Sequence, residues 1–220
     1  MSNIMRIGIL GSGLMGGKLG TLFARAGHDV VFSYAHDPAK LAGLAREAGK
    51  TARAGTPRDA ASDADVVLLA VHWSRVDDVL RQAGDLSGKI ILSCTLPMNR
   101  DDTALAVAHT TSGAEVIARK KRKARVVSAF STAPSEVLFD VFARRTRKTR
   151  PSMVFCGDDK HAKKVVAALI RQLGFDPVDV GSLRTARYIE PASLLIAKIA
   201  YDGDLGPAVA YRFDYLEERS

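Results

Sequence analysis

The chain has little cysteine, no long apolar run and no metal-binding spacing, and each shortage excludes a class of protein. Cys94 and Cys156 are the only cysteines in 220 residues. They show neither C-x-x-C spacing nor a disulfide framework. No apolar run approaches the roughly 20 residues of a membrane span, so no membrane association is expected. The N-terminus lacks a signal-peptide pattern, because a strand and its glycine turn begin almost at once; a cytoplasmic location is the expectation. The five histidines, at 28, 36, 72, 109 and 161, have no metal-ligand spacing with cysteines or carboxylates, so no metal is expected. No Ser/His/Asp or paired-carboxylate arrangement is evident either.

What remains is ordinary for a globular protein: 47% apolar and 25% charged residues, on a chain long enough to bury a sizeable core. Against that background residues 7–34 stand out. Ile7 to Leu10 is an apolar run that enters Gly11-x-Gly13-x-x-Gly16. A helix-like stretch follows, and then a second apolar run, Val30 to Phe32. Strand, tight turn, helix and strand make one βαβ unit, the context in which Gly-x-Gly-x-x-Gly binds the pyrophosphate of a dinucleotide. Gly11 permits the turn, Gly13 lets the backbone approach the pyrophosphate, and Gly16 lets helix and strand lie close. The helix start then offers free N–H groups and positive dipole to the phosphates.

The end of the second strand indicates which dinucleotide. An NAD site has an acid about 20 residues on, bonded to the ribose 2′-hydroxyl. Here that place holds Ser33, followed by Tyr34. A small hydroxyl leaves room for a 2′-phosphate and can donate to it, and His36 and Lys40 lie just beyond as sources of positive charge. The sequence therefore favours NADP(H). The competing ribose acid, Asp37, falls past the strand end and precedes Pro38 in a turn.

Strand and helix patterns keep alternating. Strands are expected at 65–71, 89–93, 125–130, 153–155 and 175–180, with helices at 74–82, 135–143 and 159–173. The last of these is strongly amphipathic and ends at Gly174. From Ser182 onward the chain reads as helical, broken around Gly203 to Pro207. The expected architecture is a single α/β domain over 1–220. It is a Rossmann-like, doubly wound, mostly parallel sheet with a helical C-terminal segment at about 182–220.

Over nearly its whole length the chain resembles the coenzyme F420-dependent NADP reductases. It is also similar to the NADP-binding oxidoreductase domain of the STEAP metalloreductases. GSGLMGGKLG at 11–20, VVFSY at 30–34, ADVVLLAVHW at 64–73, LSGKIILSCTLP at 86–97 and ARVVSAFST at 124–132 carry the likeness. So do VFCGDD at 154–159, LGFDPVDVGSLRTARYIEP at 173–191 and GDLGPAVAYRF at 203–213. The resemblance implies hydride transfer between NADP(H) and a second, stacked redox ring such as F420 or a flavin, with the protein holding two rings face to face. It places Gly11, Ser12, Gly13, Leu14, Met15, Gly16 and Ser33 at the cofactor, and with them Ala70, Val71, His72, Trp73, Thr95, Pro97, Ala129 and Phe130. Tyr34 and Lys40 join this set from their position after the second strand.

Four positions depart from the family pattern. Ser33-Tyr34 stands for Ser-Arg, His72-Trp73 for Pro-Trp, Thr95-Leu96-Pro97 for Thr-Asn-Pro, and Ala129-Phe130-Ser131 for Ala-Phe-Asn. Two amides are lost and an imidazole is gained beside the nicotinamide, so the acceptor can differ from F420 and includes small carbonyls and imines. His72 and Ser131 are the candidate catalytic residues. His72 is a candidate proton donor, imidazole being the side chain suited to proton transfer at neutral pH, with cofactor packing as its plainer role. Ser131 is a ligand for the nicotinamide amide or substrate, with helix capping as its plainer role. Arg187, Tyr188 and Glu190 either reach the pocket or, for Arg187 and Glu190, form an i,i+3 pair.

Residues 119–150 hold 11 of the 32 Lys and Arg residues and two acids, leaving the rest of the chain with 21 basic and 22 acidic side chains. If the strands that follow the two basic loops, 119–125 and 144–150, are parallel to the first, both loops lie opposite the ligand crevice. They lack aromatic interleaving, so a nucleic-acid partner is not expected. The expected partners are a small-molecule or cofactor acceptor and, from the apolar C-terminal helix, a second copy in a homodimer. The alternative to an enzyme is a non-catalytic NADP(H)-binding sensor or adaptor.

Overall fold

Apolar runs with no polar interruption set the middle of the sheet: Val66–Leu69 and the neighbouring Ile90–Ser93 are buried at every position. The computed structural model describes residues 4–35 and 37–214. In chain order the elements are β1 (Arg6–Leu10), α1 (Leu14–Arg25), β2 (Asp29–Ser33), α2 (Pro38–Ala48), β3 (Ala52–Ala54), α3 (Pro57–Ser62), β4 (Val66–Leu69), α4 (Val76–Ala83) and β5 (Ile90–Ser93). Then come α5 (Gly113–Lys120), β6 (Arg125–Ala129), α6 (Leu138–Ala143), β7 (Ser152–Gly157), α7 (Lys160–Gln172), β8 (Asp176–Asp179) and α8 (Ala186–Tyr201). The eight strands form one sheet in the order β3-β2-β1-β4-β5-β6-β7-β8. Strand side chains alternate between its two faces. Ile7, Ile9, Val66 and Leu68 meet α1, α2, α6 and α7 on one side, and Leu10, Val67, Leu69 and Ile91 meet α3, α4, α5 and α8 on the other.

Side-chain caps start several helices. Thr56 and Asp59 form a reciprocal capping box on α3, Asp37 accepts the Ala39 N–H at the head of α2, and Asp159 accepts the Ala162 N–H at the head of α7. α1 differs: Gly13 at its head supplies no side-chain cap and its first turn holds no acid.

The eight-stranded, mostly parallel sheet matches the expected Rossmann-like class, with two differences. β7 runs antiparallel to β6, pairing Ala129 with Phe155 and Val127 with Gly157. The six-residue α6 spans only about 9 Å at 1.5 Å per residue, and the chain re-enters the sheet from the edge at which β6 left it. The basic loop 144–150, which feeds β7, therefore lies at the crevice end of the sheet, correcting the expectation that it lies opposite. Loop 119–125 precedes the parallel β6 and does lie at the far edge. The second difference is at the C-terminus, where helix ends at Tyr201 and residues 202–214 are not helical. Tyr211 runs beside β7 instead: its carbonyl accepts the Ser152 N–H, and its hydroxyl sits 2.7 Å from Thr132 Oγ1. His36, read above as a source of charge, lies outside the described residues. No helix among the described residues is long and apolar enough to cross a membrane.

Candidate active site

The strand order reverses between β1 and β4, and at such a switch point the C-terminal strand ends diverge into a ligand crevice. The turn from β1 into α1 forms its floor. Gly11 holds φ +107, a left-handed conformation that side chains resist, and a Cβ there would stand 2.5 Å from the Ala70 carbonyl oxygen. A Cβ on Gly16 would stand 1.8 Å from the Gly11 carbonyl oxygen. Gly13 is the opposite case, since its Cβ would meet no protein atom within 4 Å. The open space over Gly13, the uncapped amides of the first α1 turn and the absence of an acid there suit a pyrophosphate.

A 550 Å³ cleft opens beside this turn. It brings together Gly11, Ser12, Gly13, Tyr34, Lys40 and Ala70, and also Val71 and His72. Leu14 heads α1 with 71% of its surface exposed, and Met15 is partly buried against the core. The rest of the expected set is placed differently. Ser33 has no exposed surface and its hydroxyl donates to the Ile9 carbonyl at 2.7 Å, so its proton is already engaged by the neighbouring strand. Strand period explains this: the last residue of β2 points into the sheet's cover, while the left-handed Tyr34 (φ +58) turns the chain out. Ala129 and Phe130 are likewise fully covered. Phe130 takes φ +66 and meets Phe175 edge-on at 6.2 Å, so its ring belongs to the core. Thr95 Oγ1 donates to the carbonyls of Leu69 and Val71, and buried Pro97 lies against Gly113. Trp73 is half-buried against the α3–α5 side.

His72 follows β4 at the crevice mouth. Its Nδ1 lies 2.8 Å from Ser74 Oγ and 3.3 Å from the Ser74 backbone nitrogen, and its Nε2 lies 2.9 Å from Asp102 Oδ1. Asp102, in the loop after β5, is 30 residues from His72 in sequence, and only the fold brings the two together. Ser131 caps no helix: its hydroxyl accepts from Ser193 of α8 at 3.1 Å.

Arg187 and Glu190 neither pair with each other nor enter the cleft; they grip the head of α5. Arg187 bonds Glu115 through two parallel contacts of 2.7 and 2.8 Å, and Glu115 in turn bonds Ser112, the α5 cap. The Glu190 carboxylate accepts the N–H groups of Gly113 and Ala114 at 2.8 and 3.0 Å. The Ser112-x-x-Glu115 spacing is a capping-box signature that marks the head of α5 but not its partners on α8. Burial raises the Glu190 pKa from 4.5 to about 7, against the pull of those two donors. A folded-state value above the unfolded one means that the native state holds the proton more tightly. Its stabilising share is present below about pH 4.5 and is lost as pH rises through about 7, with a slope of up to about 1.4 kcal/mol per pH unit. We expect the stability gap between wild type and Glu190→Gln to shift across pH 5 to 8 in thermal melts. A gap constant over that range would show Glu190 ionised throughout.

Cys94, at the end of β5, donates its S–H to the Leu69 carbonyl, and Cys156 sits in β7. Burial pushes both thiols up to about 12.

Comparison with known proteins agrees with this geometry. Residues 6–97 match the family described as NADP oxidoreductase, coenzyme F420-dependent. The metalloreductase STEAP3 of Rattus norvegicus is 30% identical over 189 residues, 86% of this chain and 36% of that protein. The F420-dependent NADP reductase of Methanocaldococcus jannaschii is 31% identical over 145 residues, 63% of each chain. The chain thus spans less than two thirds of the length of either relative. In fold it is similar to a protein of Arthrobacter sp. FB24 proposed to be an F420-dependent NADP reductase, with a TM-score of 0.84 at 24% identity, covering 96% of this chain and 100% of that one. The family match thus falls on the part of the chain, residues 6–97, that supplies the glycine turn and the cleft beside it.

Proposed function

We propose that the protein is an NADP(H)-dependent oxidoreductase that moves hydride between the nicotinamide and a flavin-like, deazaflavin-like or small carbonyl or imine acceptor. One observation carries the reading: Gly13, alone of the three turn glycines, faces open space, over an uncapped helix start. A glycine that the fold does not need is explained by a ligand that does. Bound NADPH supplies a hydride with its electron pair, and the acceptor also takes up a proton. His72, at the mouth and held by Asp102, is the group we assign to that proton. The replacement of two family amides by Leu96 and Ser131 supports an acceptor other than F420.

The test is oxidation of NADPH against a panel of F420, flavins, imines and carbonyls. Turnover with one class defines the acceptor. Tight NADPH binding without turnover on any of them sinks the enzyme reading in favour of a sensor or adaptor. In the same assay, a His72→Phe enzyme with undiminished turnover and intact cofactor affinity removes His72 from the mechanism.

A homodimer is part of this proposal. Tyr188, Ala192, Leu195 and Ile199 form one exposed row along α8, at the i, i+4, i+7 and i+11 spacing of a helix face that another surface covers. Sedimentation as a monomer would end that part of it. A cytoplasmic location is likewise part of the reading, and fractionation of cells producing the protein tests it.

A further inference from the structure

The family's usual clamp on the 2′-phosphate, an arginine after the second strand, is absent here, and the structure shows what fills its position. Tyr34 turns its hydroxyl away to donate to Asp78 Oδ2 at 2.7 Å. Asp78 also takes a bond from Gln82 and pairs with Arg81. The neighbouring Asp77 pairs with Lys120 at 2.8 Å. The two carboxylates closest in sequence to Arg75 are thus committed elsewhere. Among the described residues, Arg75 makes no ion pair and its guanidinium no hydrogen bond. It is exposed at the head of α4 and lines the cleft beside the glycine turn. Lys40, on α2, lines the same cleft from the opposite element, and it too lacks an ion-pair partner among the described residues. One acid shares the space: Asp37, which caps α2 through the Ala39 N–H at 2.8 Å. Among the lining residues two cations face one carboxylate, so the lining is net positive, with Asp78 behind it near enough to act on Arg75.

We propose that Arg75, with Lys40 facing it, binds the 2′-phosphate of NADP(H), so that the phosphate is read from the β4–α4 side of the cleft and not from the end of β2. The proposal rests on the NADP(H) reading above. An arginine fork matches phosphate oxygens in a bidentate way, and a lysine adds a point charge. Asp78 has a positioning role: by holding Tyr34 it keeps the phenol on the cleft wall and takes the Tyr34 hydroxyl out of contention for the phosphate.

The experiment is calorimetric binding to the full chain, with NADPH and NADH, and with 2′,5′-ADP and 5′-ADP as probes that isolate the 2′-phosphate. For Arg75→Ala we expect about 10- to 100-fold weaker binding of NADPH and 2′,5′-ADP, the range of one lost charge-assisted contact, with NADH and 5′-ADP within twofold of wild type. Arg75→Lys recovers part of the loss, and Lys40→Ala shows a smaller one of the same pattern. Equal weakening of phosphorylated and unphosphorylated ligands would make Arg75 a stacking partner for adenine and overturn the proposal; so would unchanged affinity for all four. Failure of the underlying reading looks different: wild type would then prefer NADH, or show no preference, before any substitution is made.

Discussion

A Gly16→Ala protein will be severely destabilised, whether or not cofactor is present. The added methyl carbon would stand 1.8 Å from the Gly11 carbonyl oxygen and 3.1 Å from the Ala70 Cβ. The first obstacle is backbone, not the end of a flexible side chain, so relief requires α1 to lift from β1. That helix carries Leu19, Leu22 and Phe23, all fully buried, and lifting it opens the core on that face. Overpacking of this kind costs about 1–3 kcal/mol where side chains yield; with a carbonyl in the way we expect about 3 kcal/mol or more. For a chain of this size that is a fall in Tm of roughly 6–12 °C. A melt within two degrees of wild type would show that α1 does not sit on the turn as described.

Gly13→Asp reverses the pattern. Gly13 holds φ −76 and ψ −155, which any residue adopts, at the head of α1. Aspartate is among the best residues there: its carboxylate accepts an N–H of the first turn and sits favourably in the helix dipole. The apo protein should gain a few tenths to about 1 kcal/mol. The same carboxylate occupies the volume over the turn and adds negative charge where the pyrophosphate lies, so NADPH affinity should fall by more than about 100-fold, the equivalent of about 2.7 kcal/mol. Melting and titration together check it: a stable protein with unimpaired binding would move the pyrophosphate away from Gly13. The two substitutions separate glycines that look alike in sequence into one kept by the fold and one kept by the ligand.

Much of the dinucleotide half was legible because its signals are local. The runs at Ile7–Leu10, Val66–Leu69 and Ile90–Ser93 are short and buried on both faces, Val30–Phe32 nearly so, and the glycine spacing reports backbone geometry directly. The amphipathic α7 needed only its own periodicity. Three features depend on information that one stretch of sequence does not hold. The direction of β7 follows from how far a short helix carries the chain, and this decides on which edge loop 144–150 lies. The orientation of Ser33, Ala129 and Phe130 depends on strand register and on where a positive φ turns the chain, so strand-end position alone does not reveal that all three are buried. Arg75, Asp78 and Asp102 are remote in sequence from their site partners Lys40, Tyr34 and His72, and only the fold brings them together. The short, polar β3 and the neighbouring α3 gave little periodicity to read.

The burial of Cys94 and Cys156 bears on which electrons the protein can handle. A sulfur becomes a nucleophile only as thiolate, and burial raises the pKa of both thiols well above neutrality. Cys94 ends the strand beside the crevice, yet its proton is held on the Leu69 carbonyl. A peroxide or a glutathione disulfide reaching the crevice therefore finds no sulfur ready to react. Buried and protonated, the two thiols stand apart from a two-electron transfer in the crevice.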